Sequence, residues 1–208
     1  MTPVGTRYRI ATRHVHEEVD HLIVATPPYV AAKLVRRLPH GERLARVLES
    51  FPYYRTTITI HTDPAYVAAD RRYWSFDDVE VANGWGQGSL WYGAVHPPLA
   101  DGSTIDVFKS WTTNRDHEPQ ATVYREEFMH ALPVPDFGRA QVALDEFQGR
   151  HRVWFVGSHC IKVDSQDTAL RSAMRVADAL APASPHYPAL EAIPSAAATR
   201  SPGRRHAG

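Results

Sequence analysis

The residues whose types and spacing best suit chemistry stand between His151 and Pro182. There an apolar run, Val153-Trp154-Phe155-Val156, stops at Gly157-Ser158 and, after a short polar loop, gives way to a helical pattern. A strand, a turn that permits close approach and a helix N-terminus together make a cradle for an anion or a cofactor. Glycine adopts backbone conformations that side chains forbid, and the first amides of a helix lack intrahelical partners and carry the positive end of its dipole. The same stretch also reads as an ordinary strand-loop-helix crossover with Asp164 or Ser165 capping the helix.

Other reactive types are present without the spacing that chemistry needs. Cys160 adjoins His159, but neighbouring side chains at a strand end point apart, whereas a thiol nucleophile and its base must meet in space. Twelve histidines are many, yet His14, His16, His61, His96, His117, His130, His151 and His159 are scattered, with no H-E-x-x-H and no Cys/His cluster, so no metal site is expected. Gly84-Trp85-Gly86-Gln87-Gly88 lacks the spacing of a phosphate-binding turn and reads as turn glycines. Trp74, Trp85, Trp91, Tyr92 and Trp111 fall in a strand-rich middle region, where aromatic side chains line a substrate cavity or fill a core. Lys109 reads as an exposed strand lysine.

The elements that must position these residues follow from pattern. Tyr8 to Ile10 and Val19 to Thr26 are predicted strands, the second ended by Pro27-Pro28. Apolar spacing predicts helices over Tyr29 to Leu38 and Glu42 to Leu48, separated by Pro39 and Gly41. Tyr53 to His61, Val79 to Ala82, Leu90 to Val95, Ile105 to Thr112 and Thr122 to His130 cluster β-formers between turn residues and predict an antiparallel sheet. A helix from about Phe137 to Phe147 leads back to the strand and helix of the cradle. The expected fold is α+β or α/β, a layer built from both chain ends plus a mainly antiparallel sheet between them. Its divisions are 1–50 with 137–182, then 51–136, and a Pro/Ala/Ser-rich disordered tail over 183–208 that carries Arg200, Arg204 and Arg205.

The chain has 208 residues and 43% hydrophobic content, enough for a real core. Lys plus Arg equals Asp plus Glu at 23 each, so no global field favours nucleic acid or an anionic membrane, and neither is expected as a partner. One cysteine excludes an intramolecular disulfide framework. No signal pattern opens the chain, and no window approaches the ~18 consecutive apolar residues of a membrane span. A cytoplasmic location is the expectation.

The wording VWFVGSHCIKVDSQDTALRSAMRVADAL resembles the C-terminal flavin-binding motif of the flavin-containing amine oxidoreductase family, and VDHLIVATPP resembles that family's strand crossing between domains. The resemblance spans roughly Tyr8 to Pro182. It implies that the two chain ends form part of an FAD-binding layer and that the middle is a substrate domain. It assigns Gly157 to close backbone approach to FAD and Ser158 to its oxygens. The backbone amides of Thr168, Ala169 and Leu170 fall to the flavin pyrimidine edge, where reduced flavin carries negative charge that a helix N-terminus stabilises. Thr168 stands where the family commonly has Gly, and Ser158-His159 replaces a pair that usually includes an acid. The family's substrate-domain lysine aligns with Thr56 or Thr57, and Lys109 lies on a different predicted strand.

The family also opens with Gly-x-Gly-x-x-Gly for the FAD pyrophosphate, and that spacing occurs nowhere in this sequence. The resulting expectation is the C-terminal part of an FAD-dependent oxidoreductase that moves hydride from a substrate C–H bond to flavin N5. Its site for FAD is incomplete, its substrate is a small molecule and commonly an amine, and its partner is a separately encoded N-terminal half. No catalytic residue is assigned, and amine oxidation, desaturation and isomerisation of an apolar substrate stay open. The alternatives are a non-catalytic binding or scaffold protein that has lost the cofactor, and a truncated product.

Overall fold

The computed structural model describes residues 1–161 and 165–186. Asp164 and, within the expected tail, residues 187–208 with Arg200, Arg204 and Arg205 lie outside the described residues. The fold is mixed α/β with mainly antiparallel sheets, and the chain divides into two compact units, 1–52 with 131–208 and 53–130.

The first unit opens with a three-stranded antiparallel sheet of β1 (Thr2–Val4), β2 (Arg7–Ala11) and β3 (His16–Val19). β4 (Leu22–Val24) then pairs in parallel with β10 (Val153–Phe155), in the register Val153↔Leu22 and Phe155↔Val24. The two ends of the chain thus share one layer. Leu22, Val24, Val153 and Phe155 are buried on one face of this pair, whereas Ile23 on the other face is 53% exposed. The predicted strand Val19 to Thr26 is broken, because Val19 closes β3 and Asp20-His21 turn the chain before β4.

Helices cover the apolar face. α1 (Pro28–Val35) begins on a proline, whose missing N–H costs nothing in a first turn, and buries Ala31, Ala32 and Val35. α2 (Gly41–Glu49) buries Leu44, Ala45 and Leu48 and packs on α1; a Cβ on Gly41 would meet Val35 O at 2.0 Å, so only glycine fits that junction. α3 (Pro135–Asp145) buries Phe137, Ala140 and Leu144 against α2. α4 (Gln166–Leu180) packs on β10 through its buried Ser172 and Val176.

The second unit is a five-stranded sheet in the order β6-β7-β8-β5-β9, from β5 (Tyr53–His61), β6 (Asp77–Ala82), β7 (Trp85–Trp91), β8 (Phe108–Trp111) and β9 (Thr122–Ala131). β6 and β7 form a hairpin closed by Asn83-Gly84, both at positive φ (52° and 80°), the two-residue turn whose twist matches the strands. Of the expected turn glycines, Gly84 alone is in the turn. Gly86 and Gly88 lie within β7, paired with Val81 and Val79. The strand predicted at Leu90 to Val95 ends at Trp91, and Tyr92–Ala94 form a short 3₁₀ turn.

Candidate functional site

β4 and β10 end level, since Val156 N–H donates to Val24 O at 3.1 Å. Thr26-Pro27 and Gly157-Ser158 therefore leave the carboxyl edge of the parallel pair together, the edge at which open α/β sheets bind ligands. Thr26 Oγ1 is buried there and has no hydrogen-bond partner among the described residues. A buried hydroxyl without a partner is uncommon, and an absent ligand group is one of its ordinary explanations.

Gly157 has φ 141°, a conformation open to glycine. Its N–H donates to Ser172 Oγ at 2.7 Å, and that hydroxyl donates onward to Ala169 O at 2.7 Å, which ties the turn to α4. A Cβ at this position would meet the His159 ring at 2.8 Å. The chain thus supplies its own reason for glycine here, because a 3₁₀ turn over Ser158–Cys160 folds the buried imidazole back over the backbone. His159 meets Phe51 edge-on at 5.8 Å, and Phe51 meets Phe137 at 5.1 Å. Ser158 is half-buried beside it.

Ser165 is the N-cap of α4, in a reciprocal capping box with Thr168. Thr168 N–H donates to Ser165 Oγ at 3.1 Å, and Ser165 N–H donates to Thr168 Oγ1 at 3.2 Å. Ala169 N–H donates to Ser165 O at 3.1 Å. The amides of Thr168 and Ala169 are thus used inside the cap, and the Leu170 side chain is 48% exposed. Gln166 and Asp167 are the first two residues of α4, whose amides have no intrahelical acceptor. The Asp167 carboxylate shares the first turn and accepts from Arg171 Nε at 2.8 Å.

Burial pushes the Cys160 thiol up to about 12, with Asp145 adding to it, so the group is a neutral filler and no nucleophile. Among the described residues no three His, Cys, Asp or Glu side chains gather as metal ligands. No helix among them is long and apolar enough to cross a membrane.

In the second unit Thr56 is buried and shares a hydrogen bond of 2.9 Å with Thr113 Oγ1. Lys109 is half-buried on β8, its Nζ 5.2 Å from the Trp111 ring. The tryptophans fall into two groups: Trp74 and Trp91 pack with Phe108 under Arg71, whereas Trp85 meets Tyr54 and Trp111 meets His130.

Pattern reading missed a buried polar chain in this unit. Ser89 Oγ lies 2.6 Å from Ser110 Oγ, Ser110 Oγ lies 2.8 Å from His61 Nε2, and His61 Nδ1 lies 2.8 Å from Asp63 O and 3.3 Å from Asp63 Oδ1. With Nδ1–H donating to Asp63, Nε2 accepts from Ser110. The connectivity is that of a serine-histidine-aspartate nucleophile, but Ser110 and His61 are both 0% exposed, so the chain orders the sheet interior instead of meeting a substrate. Burial lowers the His61 pKa, outweighing Asp63, which raises it, and Arg115 lowers it further. The signal available in sequence was alternation, since Thr59 and His61 share one strand face.

No protein-family model matches the chain, and no curated protein matches it in sequence. Solved structures do. A CLA-producing fatty acid isomerase from P. acnes superposes with a TM-score of 0.51 at 9% identity, over 86% of this chain and 45% of that one. A protein described as a protoporphyrinogen oxidase, from Exiguobacterium sp. 255-15, gives a TM-score of 0.46 at 12% identity over the same shares. The chain spans less than half the length of these two structures, and the isomerase likeness shows the fold alone.

Proposed function

We propose that this chain contributes the returning strand, turn and helix, together with the substrate-domain sheet, of an FAD-dependent oxidoreductase resembling the flavin-containing amine oxidoreductases. The observation that carries the reading is the parallel pairing of β4 with β10, which brings Thr26 and Gly157-Ser158 to one carboxyl edge with an unpartnered buried hydroxyl between them. The fold likeness to a fatty acid isomerase supports it.

The residues partly fit a flavin. Thr26 Oγ1, Ser158 and the amides of Gln166 and Asp167 would hold its oxygens, while Gly157 would keep the edge free of a side chain. The Asp167 carboxylate shares that point, paired with Arg171, which offsets its negative charge. Nothing in the sequence offers the glycine-rich turn for a pyrophosphate. A bound flavin supplies a two-electron acceptor for a substrate C–H bond. Oxidation beside nitrogen, desaturation and isomerisation all suit that chemistry, and the last is what the neighbour's name describes.

A second reading, a binding or scaffold protein, is favoured by the amides of Thr168 and Ala169 being used within the cap. Purification followed by an absorbance scan tests the first. The chain alone is expected without stoichiometric FAD, and a separately expressed N-terminal half carrying the glycine-rich turn is expected to restore flavin binding on mixing. A 1:1 flavin spectrum from the chain alone would show that no second half is required. Failure of every such half to restore binding would favour the scaffold.

A further inference from the structure

At the opposite, amino end of β10 the first unit carries a second site of different chemistry. Two adjoining cavities of about 330 and 400 Å³ share Tyr8, Pro39, His40 and His151. Arg7 and Arg152 line the first, and Arg43 and Arg150 the second. Val153, the first residue of β10, is part of the wall, so the cleft is separated by the length of the strand from Gly157.

The charges around this cleft do not balance. Arg7 lies 3.2 Å from Asp20, and Arg152 lies 3.9 Å from the same carboxylate oxygen. Arg43 lies 3.6 Å from Glu146, across an exposed gap. Arg150 rests 5.7 Å from the Phe147 ring and has no carboxylate partner among the described residues. Glu42 also lines the cleft, but Arg36 at 3.0 Å and Arg46 at 3.6 Å engage it, and Arg36 is balanced in turn by Glu49. Four guanidiniums thus face two carboxylates, Asp20 and Glu146, a surplus of two positive charges.

The backbone beneath is strained in the same place. His40, His151 and Arg152 all have positive φ (59°, 53° and 62°), which non-glycine residues adopt at a cost. The two imidazoles stack at 6.0 Å and 23°, and the Tyr8 hydroxyl donates to His151 O at 2.6 Å, fixing that turn. Strain that sets the two imidazoles where the adjoining cavities meet, with two guanidiniums lining each cavity, pre-organises donors for an anion along the cleft.

We propose that this cleft binds a small-molecule phosphate monoester, a dianion that matches the surplus of two charges. Guanidiniums recognise phosphate oxygens through paired N–H donors, and the buried side chains of Tyr8, Leu38, Leu44 and Val153 provide apolar wall for the ester's organic part.

Calorimetric titration of the full chain with inorganic phosphate and with glycerol 3-phosphate tests this, against acetate and glycerol at matched ionic strength. Saturable 1:1 binding of the ester is expected, weakening as salt rises. Arg150→Ala and Arg43→Ala should each lower affinity about tenfold or more, since each removes a charge-assisted contact. Arg139→Ala, on α3 and outside the cleft, should leave it unchanged. Circular dichroism of each variant separates loss of binding from loss of fold, and Arg150→Lys, which keeps the charge but loses the fork, should bind between wild type and Arg150→Ala. Absence of saturable binding, acetate binding as tightly as the ester, or undiminished binding by the two cleft variants would overturn the proposal. Binding of inorganic phosphate with none of the ester would overturn the assignment to a monoester.

Discussion

Gly157 is confined to glycine by a φ of 141° and by the His159 ring 2.8 Å from any Cβ. Gly157→Ala is expected to lower stability by about 1–3 kcal/mol, read as a drop in Tm, because either the backbone or the buried imidazole must shift. Ser158→Ala removes a hydroxyl beside it and should cost only about 0.5–1.5 kcal/mol. Equal tolerance of both changes would mean that the turn is not held as described. Sequence marked Gly157 as a turn open to close approach, but it could not show that the His159 ring takes the space a side chain would fill. The ring that fills the space is two residues away, and its direction depends on a 3₁₀ turn that no apolar period announces. The cap was legible to within one residue: Asp164 or Ser165 was the reading, and Ser165 is the N-cap.

Among the elements, the outer edge of β10 shows what pattern leaves out. The Gln148 side chain accepts from Phe155 N–H at 3.0 Å and donates to Phe155 O at 2.9 Å, and Gly149 N–H donates to Val153 O at 2.9 Å. One amide side chain and one turn thus satisfy the groups that a further strand would take, which blunts an edge otherwise open to pairing. Gln148→Leu leaves both Phe155 groups without these partners. Expected are a loss of about 1–3 kcal/mol in urea unfolding and, by light scattering, concentration-dependent association. A variant as stable and as monodisperse as the wild type would show that the edge needs no cap. Strand addition by a complementing half would have to displace Gln148, so this variant should also change the rate of any reconstitution. The two apolar runs were expected in one layer, and β4 and β10 lie there as a parallel pair. The three-stranded sheet at the start was not fully foreseen, because β1 is three residues long and β3 reads His-Glu-Glu-Val, and neither carries an alternating apolar signal. In the β6–β7 hairpin, Asn83-Gly84 was the signal for a two-residue turn.

At the scale of the whole molecule, acid is where its charges and its buried groups act against each other. Positive and negative side chains balance at 23 each with neutral histidine, and the isoelectric point is near 7.2. Below that point the molecule carries a net positive charge, which favours solubility. His61 responds in the other direction. Its folded pKa lies below its ordinary value of 6.5 because burial disfavours the charged ring, so between the two values the unfolded chain binds more protons than the folded one. Its contribution to stability is whole above that ordinary value and is lost as pH falls through it toward the folded pKa. Asp63 adds a second loss further down: burial raises its pKa, but the amides of Gln120 and Ala121 and the nearby His61 more than offset that, and the pKa falls below 3.8. Stability present above that value therefore disappears as pH drops through the folded pKa. Urea midpoints should be level well above pH 6.5, decline as pH falls through that value, and decline again as it falls through 3.8. Imidazole NMR resonances give a readout independent of any variant's ability to fold. His61 should stay in its neutral form below its ordinary value of 6.5. A midpoint unchanged as pH falls through 6.5, with His61 titrating at or above that value, would show that the Ser89-Ser110-His61-Asp63 chain does not hold the imidazole as the geometry requires.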